Sequence, residues 1–184
     1  MKTALLVIDV QNEYFAPHGK WVLPDSEKAL VQVQQLLAAF REAQLPVVHI
    51  VHESLGTDAP VFRRGSVGAE MHPAITVQPE ERVITKHVPG AFTQTPLEAL
   101  LRSLDVDTVV ISGFMTHICC DTTTRQASER GFSIFFAEDA TAARDMVLRG
   151  EVVPHNVVHE GTLATMTHFA TVLPTAQIIQ QLQK

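Results

Sequence analysis

Three side chains in this sequence could do chemistry together: the carboxylate of Asp9, the amine of Lys86 and the thiol of Cys119. The thiol lies in the stretch DTVVISGFMTHICCDTTTRQ, which opens on the β-branched run Thr108 to Ile111 and breaks at Ser112-Gly113. It then becomes helix-compatible through Arg125, Ala127 and Glu129, so a buried strand turning sharply into a helix is expected. Thr116 is the expected cap, leaving Cys119 in or near the first turn. Unpaired N–H groups and the positive end of the helix favour an anion there. A nearby cation lowers a thiol pKa from its usual value of about 8.5, and a thiolate at neutral pH is the expectation. Cys120 reads as a small core residue.

The other two groups fall at similar places. Asp9 lies near the carboxyl end of an apolar strand expected over Ala4 to Val10, and Lys86 ends a short strand in ERVITK. In open parallel sheets, reactive groups gather outside the carboxyl ends of strands, where the strand order reverses.

The rest of the chain alternates strand and helix. A loop rich in Pro, Gly and aromatic residues, NEYFAPHGKWVLPDS, follows the first strand and is a candidate pocket wall or core cover. A helix is expected from Ser26, with Leu30, Val33, Leu36, Leu37 and Phe40 on its core face, and then a strand over Pro46 to Val51. His52 to Glu81 is a long irregular segment, a lid or arm in which Arg63, Arg64 and Glu70 could hold a substrate, or simply a solvated loop. Thr95, Pro96 and Glu98 suggest a capping box opening a helix buried through Leu97, Leu100, Leu101 and Leu104. Gly131 stops the cysteine helix before a strand over Phe132 to Ala137. A helix from about Val157, a strand over Ala170 to Leu173 and a helix over Thr175 to Gln183 complete an α/β chain with six strands.

With 184 residues and 46% hydrophobic content, residues 1–184 suit a single domain. A net charge of −6 argues against nucleic-acid binding. Polar residues from Asp9 onward interrupt the first apolar run, and no segment reaches the roughly 20 apolar residues of a membrane helix. Two adjacent cysteines cannot form a stapling disulfide framework, so the expectation is a cytoplasmic protein with reduced thiols and no membrane partner.

These motifs resemble the isochorismatase-like superfamily of cysteine hydrolases, which includes nicotinamidases and N-carbamoylsarcosine amidohydrolases. The resemblance rests on VIDVQN around Asp9, VITKHVPGAFTQTPLEALL around Lys86 and GFMTHIC ending at Cys119, and it covers nearly the whole chain. It implies a three-layer, Rossmann-like fold: a mostly parallel six-stranded sheet with helices on both faces. It implies Cys119 as nucleophile, Asp9 as general base then acid, and Lys86 as fixed charge, cleaving a C–N bond through a thioester. A cis peptide between Phe114 and Met115, backbone oxyanion donors at Met115 and Cys119, and a homo-oligomer follow from the same match. Gln11, Phe15, Trp21, Phe92 and Phe114 are the candidate substrate contacts. A small amide, ureide or carbamoyl compound is the expected substrate class, with no cofactor. The resemblance also implies a turn at Glu138-Asp139-Ala140, while Cys120 and Gly90 are modest departures from the family pattern.

Nine histidines supply competing readings. A Cys-His pair could draw on His87, His117 or His168. A metal could sit at His49 and His52, as in metal-dependent nicotinamidases, or at His155 and His159. Residues three apart on a strand face opposite sides, and His52-Glu53-Ser54 lacks the nicotinamidase pattern, so no metal site is assigned. A non-catalytic scaffold or redox-responsive thiol module is the alternative from another class.

Overall fold

The computed structural model describes residues 2–182 and alternates strands with helices. β1 (Thr3–Ile8) is followed by α1 (Ser26–Glu42), β2 (Val47–His52), β3 (Arg82–Lys86), α2 (Leu97–Ser103) and β4 (Thr108–Phe114). A π turn over Thr116–Cys120 runs into α3 (Asp121–Glu129). Then come β5 (Ser133–Ala142), a hairpin of β6 (Met146–Leu148) and β7 (Glu151–Val153), α4 (His155–Met166), β8 (Thr171–Leu173) and α5 (Thr175–Leu182). Six strands form one sheet in the order β3-β2-β1-β4-β5-β8, and every pairing within it is parallel. This is the expected α/β, Rossmann-like architecture.

The apolar run of β1 is buried throughout because both faces of the sheet are covered. Leu5 and Val7 pack with Val33, Leu37 and Phe40 of α1 and Ile178 of α5. Ala4, Leu6 and Ile8 point the other way, toward Leu97 and Leu101 of α2, Ala127 of α3 and Met166 of α4. Each fully buried Leu or Ile contributes about 1.5–3 kcal/mol.

Several boundaries differ from expectation. β1 ends at Ile8, before Asp9. Thr95 does not begin a capping box: its hydroxyl donates to the Ala91 carbonyl and accepts from Leu97 N–H, while Glu98 pairs with Arg130 at 3.0 Å. β5 continues through Glu138-Asp139-Ala140, where a turn was expected, by means of a register shift against β4 between Ile111 and Gly113. Asp139 then accepts both the N–H (2.8 Å) and the hydroxyl (2.7 Å) of Thr175 at the start of α5. α4 starts at His155 rather than near Val157, and β8 at Thr171 rather than Ala170. Gln183, expected in the last helix, lies outside the described residues. The β6–β7 hairpin was unforeseen, and it leaves Val147 and Val152 exposed.

At the amino-terminal edge of the sheet, a polar network joins α1 to β2 and β3. Glu81 accepts from Arg41 Nε and Nη2 at 2.7 and 3.0 Å and lies 2.7 Å from His49 Nε2. Burial alone would raise the Glu81 pKa. The Arg41, Gln78 and His49 hydrogen bonds together outweigh it and hold the carboxyl down to about 2. Because the folded pKa lies below the ordinary 4.5, this group's stabilisation is present above about pH 4.5 and fades as pH falls toward 2. Glu81→Gln is expected to be about 1–3 kcal/mol less stable at pH 7 by urea unfolding. It should also lose less stability than the parent between pH 5 and 3, an interval set by those flanking pKa values. Equal losses in the two proteins would show that the network does not carry this dependence.

Candidate active site

Asp9 follows β1 in the left-handed region (φ 51°), which aspartate tolerates better than most residues. Its N–H donates to Ile50 O at 2.8 Å, fixing the bend against β2. Lys86 is the last residue of β3 and pairs in register with His52 of β2. Strands lie about 4.8 Å apart, so β3 is about 10 Å from β1 and a chain as long as lysine is needed to cross. Lys86 Nζ reaches Asp9 Oδ2 at 2.7 Å and Cys119 Sγ at 3.3 Å. Asp9, Lys86 and Cys119 are 0%, 1% and 6% exposed. The three converge beside the point where the chain, having built β2 and β3 on one side of β1, places β4 on the other.

The thiol is carried by an unusual turn. Gly113 has φ 107°, and a Cβ there would fall 1.9 Å from the Ile8 carbonyl oxygen, so only glycine lets β4 run this close to β1. The Phe114–Met115 peptide is cis. The Met115 carbonyl accepts from both Ile118 and Cys120 N–H at 3.2 Å, the widened spacing of a π turn, a form frequent at functional sites. Thr116 is not the cap that its position suggested. Its hydroxyl instead pairs with His159 Nδ1 at 2.9 Å, tying the turn to α4.

The electrostatics correct the expectation of a resting thiolate. Burial, followed by the Asp9 charge, pushes the Cys119 thiol well above its usual range, and Lys86 offsets this only in part. The Lys86 ammonium is already matched to Asp9, so a thiolate would be a second, uncompensated buried anion. For Lys86, burial works against the charge, yet Asp9 and the sulfur outweigh it and raise the pKa. The resting site therefore holds a carboxylate, an ammonium and a neutral thiol within hydrogen-bonding reach of Asp9. Apart from the Lys86 ammonium at 2.7 Å, the Asp9 oxygens have no hydrogen-bond partner among the described residues, so lone pairs remain open to that proton.

The expected substrate contacts divide. Phe15 and Phe114 meet at 5.5 Å between ring centroids, and Trp21 lies 6.1 Å from Phe62, so these three belong to one aromatic wall with Tyr14. Phe92 is separate: it packs on Phe132 in the α2–α3 cluster, because its segment turns back beneath α3. Gln11 is fully buried and committed to backbone, donating to His52 O and Ala69 O and accepting from His52 N–H, so its amide positions structure. Arg64 pairs with Glu53 at 2.9 Å and Arg63 is exposed, while Val61, Phe62 and Ile75 anchor their segment in the core. That packing makes the segment a wall more than a lid. Phe62 went unnoticed in the sequence, and His52 was weighed there only as a metal ligand. His52 Nδ1 lies 3.2 Å from Lys86 Nζ, and its position at the carboxyl end of β2, like that of Lys86 on β3, was the available signal.

Among the described residues three other histidines have separate commitments. His87 Nδ1 meets Glu53 O at 2.7 Å, His168 meets the Phe169 ring edge-on, and His155 pairs with Asp145 and Asp25. Neither ring nitrogen of His117 has a partner, and the side chain bonded to the sulfur is Lys86. No group of three or more His, Cys, Asp or Glu residues among those described is arranged to hold a metal. No helix among them is long and apolar enough to cross a membrane.

A parallel α/β sheet with a thiol, a carboxylate and an ammonium closed together at its carboxyl edge is the architecture of a hydrolase. The isochorismatase domain matches residues 3–177. An uncharacterized isochorismatase family protein of Bacillus subtilis, YddQ, is 38% identical over 98% of this chain and 100% of its own length. Maleamate amidohydrolase of Pseudomonas putida is 27% identical over 99% of this chain and 87% of that protein. A cysteine hydrolase from Pseudomonas syringae pv. phaseolicola superposes with a TM-score of 0.93 at 27% identity, covering 99% of this chain and 92% of the other. The chain belongs to the isochorismatase family and is a hydrolase of that family.

The charge arrangement yields a test independent of substrate. Thiolate absorbance near 240 nm should be absent at pH 7 and rise only above the ordinary thiol value of about 8.5. Asp9→Asn removes a charge that raises the thiol pKa and leaves Lys86 facing sulfur alone, so thiolate should then appear at lower pH. An unchanged or upward-shifted titration in the variant would contradict the charge assignment.

Proposed function

We propose that this protein hydrolyses a C–N bond in a small amide, ureide or carbamoyl compound through a thioester on Cys119. The observation that supports it most is the buried contact of one ammonium with both a carboxylate at 2.7 Å and a thiol sulfur at 3.3 Å. The relationship to maleamate amidohydrolase, whose name denotes hydrolysis of an amide, supports the same bond type.

In this reading Asp9 takes the Sγ proton as sulfur adds to the substrate carbonyl carbon. The oxygen gains the electron pair of the carbonyl π bond, and the N–H groups of Met115 and Cys119 stabilise it. As the tetrahedral intermediate collapses, Asp9 returns the proton to nitrogen and the C–N bond breaks, releasing ammonia or an amine. Water, deprotonated by Asp9, adds to the thioester, and the C–S bond breaks with the proton passing back to sulfur. The sum is amide plus water giving carboxylic acid plus amine. Phe15, Phe114 and Trp21, which share one apolar cluster, are the residues assigned in this reading to contact a compact substrate.

An ammonia-release screen over small amides, ureides and carbamoyl compounds tests the proposal. At least one should be turned over, with Cys119→Ala inactive and Asp9→Asn slowed by about 100- to 10,000-fold. Intact mass spectrometry should then detect an acyl adduct on the slow variant. A Cys119→Ala protein retaining full turnover, or a broad panel giving no ammonia, would overturn it.

A further inference from the structure

An ammonium carries three N–H donors and accepts nothing. Asp9 and Cys119 engage two of those of Lys86, and the third faces His52 Nδ1 at 3.2 Å. A protonated Nδ1 would set one donor against another, so the ring proton belongs on Nε2. We propose that His52 is a positioning residue: as a neutral Nε2–H imidazole it accepts the third Lys86 N–H, holds the ammonium between Asp9 and Cys119, and disables the site when protonated.

The surroundings of the ring fit that role. Gln11 grips the His52 backbone on both sides, accepting its N–H at 2.8 Å and donating to its carbonyl at 2.9 Å. Phe62 meets the imidazole edge-on with centroids 5.2 Å apart. Backbone clamp and aromatic contact leave the ring little freedom to turn away from Lys86. The charged and titratable groups around it come from three elements: Lys86 and His87 from β3 and the residue after it, Asp9 from the end of β1, and Glu53 beside it, whose carboxylate is taken by Arg64. Burial first, then Lys86, lowers the His52 pKa below 6.5, with Asp9 opposing and His87 assisting. Imidazolium formation is therefore confined to acid, where it would place a second cation against the ammonium and displace it from the sulfur.

The tautomer can be read without any substrate. In 15N-histidine NMR spectra of the wild-type protein, the signals absent from His52→Asn identify this ring. They should show Nε2–H at pH 7.5 and titrate below 6.5, the ordinary histidine value. The turnover readout rests on the amide hydrolysis proposed above. Asn presents an acceptor near the Nδ1 position, so His52→Asn should keep most of kcat at pH 7.5 and shift the acid limb of kcat/KM to lower pH. His52→Phe keeps the ring and loses the acceptor, so kcat should fall about 100-fold, the expected effect of a catalytic group displaced by about 1 Å. An Nδ1–H tautomer, an acid limb unchanged in His52→Asn, or equal kcat in the Asn and Phe variants would overturn the assignment. Absence of amide turnover would count against the reaction class alone, since the tautomer still decides the role of His52.

Discussion

The ion pair between Asp9 and Lys86 is the constraint around which the rest of the structure is arranged. Moving a carboxylate and an ammonium out of water costs several kcal/mol each, and their mutual attraction recovers this only when the geometry is close and further polar contacts are made. Here the separation is 2.7 Å and both side chains are fully enclosed. A pair of this kind is a weak source of stability compared with well-packed apolar side chains. Its presence at the carboxyl edge of a sheet otherwise filled with Val, Ile and Leu therefore points to chemistry. The topology serves it: β2 lies between the two strands whose ends supply the charges, and lysine is long enough to reach across it.

Placing one cation against two acidic groups also explains how a buried thiol can react although burial raises its pKa. Before the proposed proton transfer, Lys86 is paired with the Asp9 carboxylate and sulfur is neutral. Afterwards Lys86 is paired with the thiolate and Asp9 is neutral. Both partners lie within 3.3 Å of the same Nζ, so the negative charge moves a short distance past a fixed counterion. The buried site carries one cation and one anion in either state, and no isolated charge is created. This differs from the thiolate activated by a helix terminus that the local sequence suggested. The π turn and its commitment of Thr116 to His159 follow from contacts with α4, which the residues around Cys119 do not encode.

Much of this was legible in the chain. The apolar runs over Ala4 to Val10, Pro46 to Val51 and Thr108 to Ile111 disclosed strands buried on both faces, and hence a parallel sheet, whereas the strand ending at Lys86 is an edge strand with Val83 exposed. With that sheet, reactive groups at the strand ends become neighbours. Less legible were features set by tertiary contact. Phe92 was a candidate substrate contact as one of several apolar side chains, but the chain turns beneath α3 and seats it on Phe132. Glu138-Asp139-Ala140 read as a turn, and only pairing with β4 across a register shift keeps the strand going. His52 was weighed as a metal ligand because that question is asked of sequence neighbours. Its actual neighbour, Lys86, lies across a strand pair.

The segment after β2 has little regular structure yet can serve as a firm wall, because the loop after β1 satisfies its polar groups. Gln11 donates to the carbonyls of His52 and Ala69, Asn12 donates to that of Val67, and Glu13 accepts from the N–H groups of Lys20 and Phe62. Gly68 packs so closely on the Glu13 carboxylate that a Cβ there would fall 2.2 Å from Oε2. Buried backbone groups without partners would each cost about 1–3 kcal/mol, so these side chains replace the ladder that a strand would provide. In QNE the same three residues that interrupt the first apolar run hold Phe62 against His52, and through His52 they act on the ammonium. The polar residues following Asp9 thus extend control of the site beyond the charged pair, by fixing the loop that presses the imidazole toward Lys86.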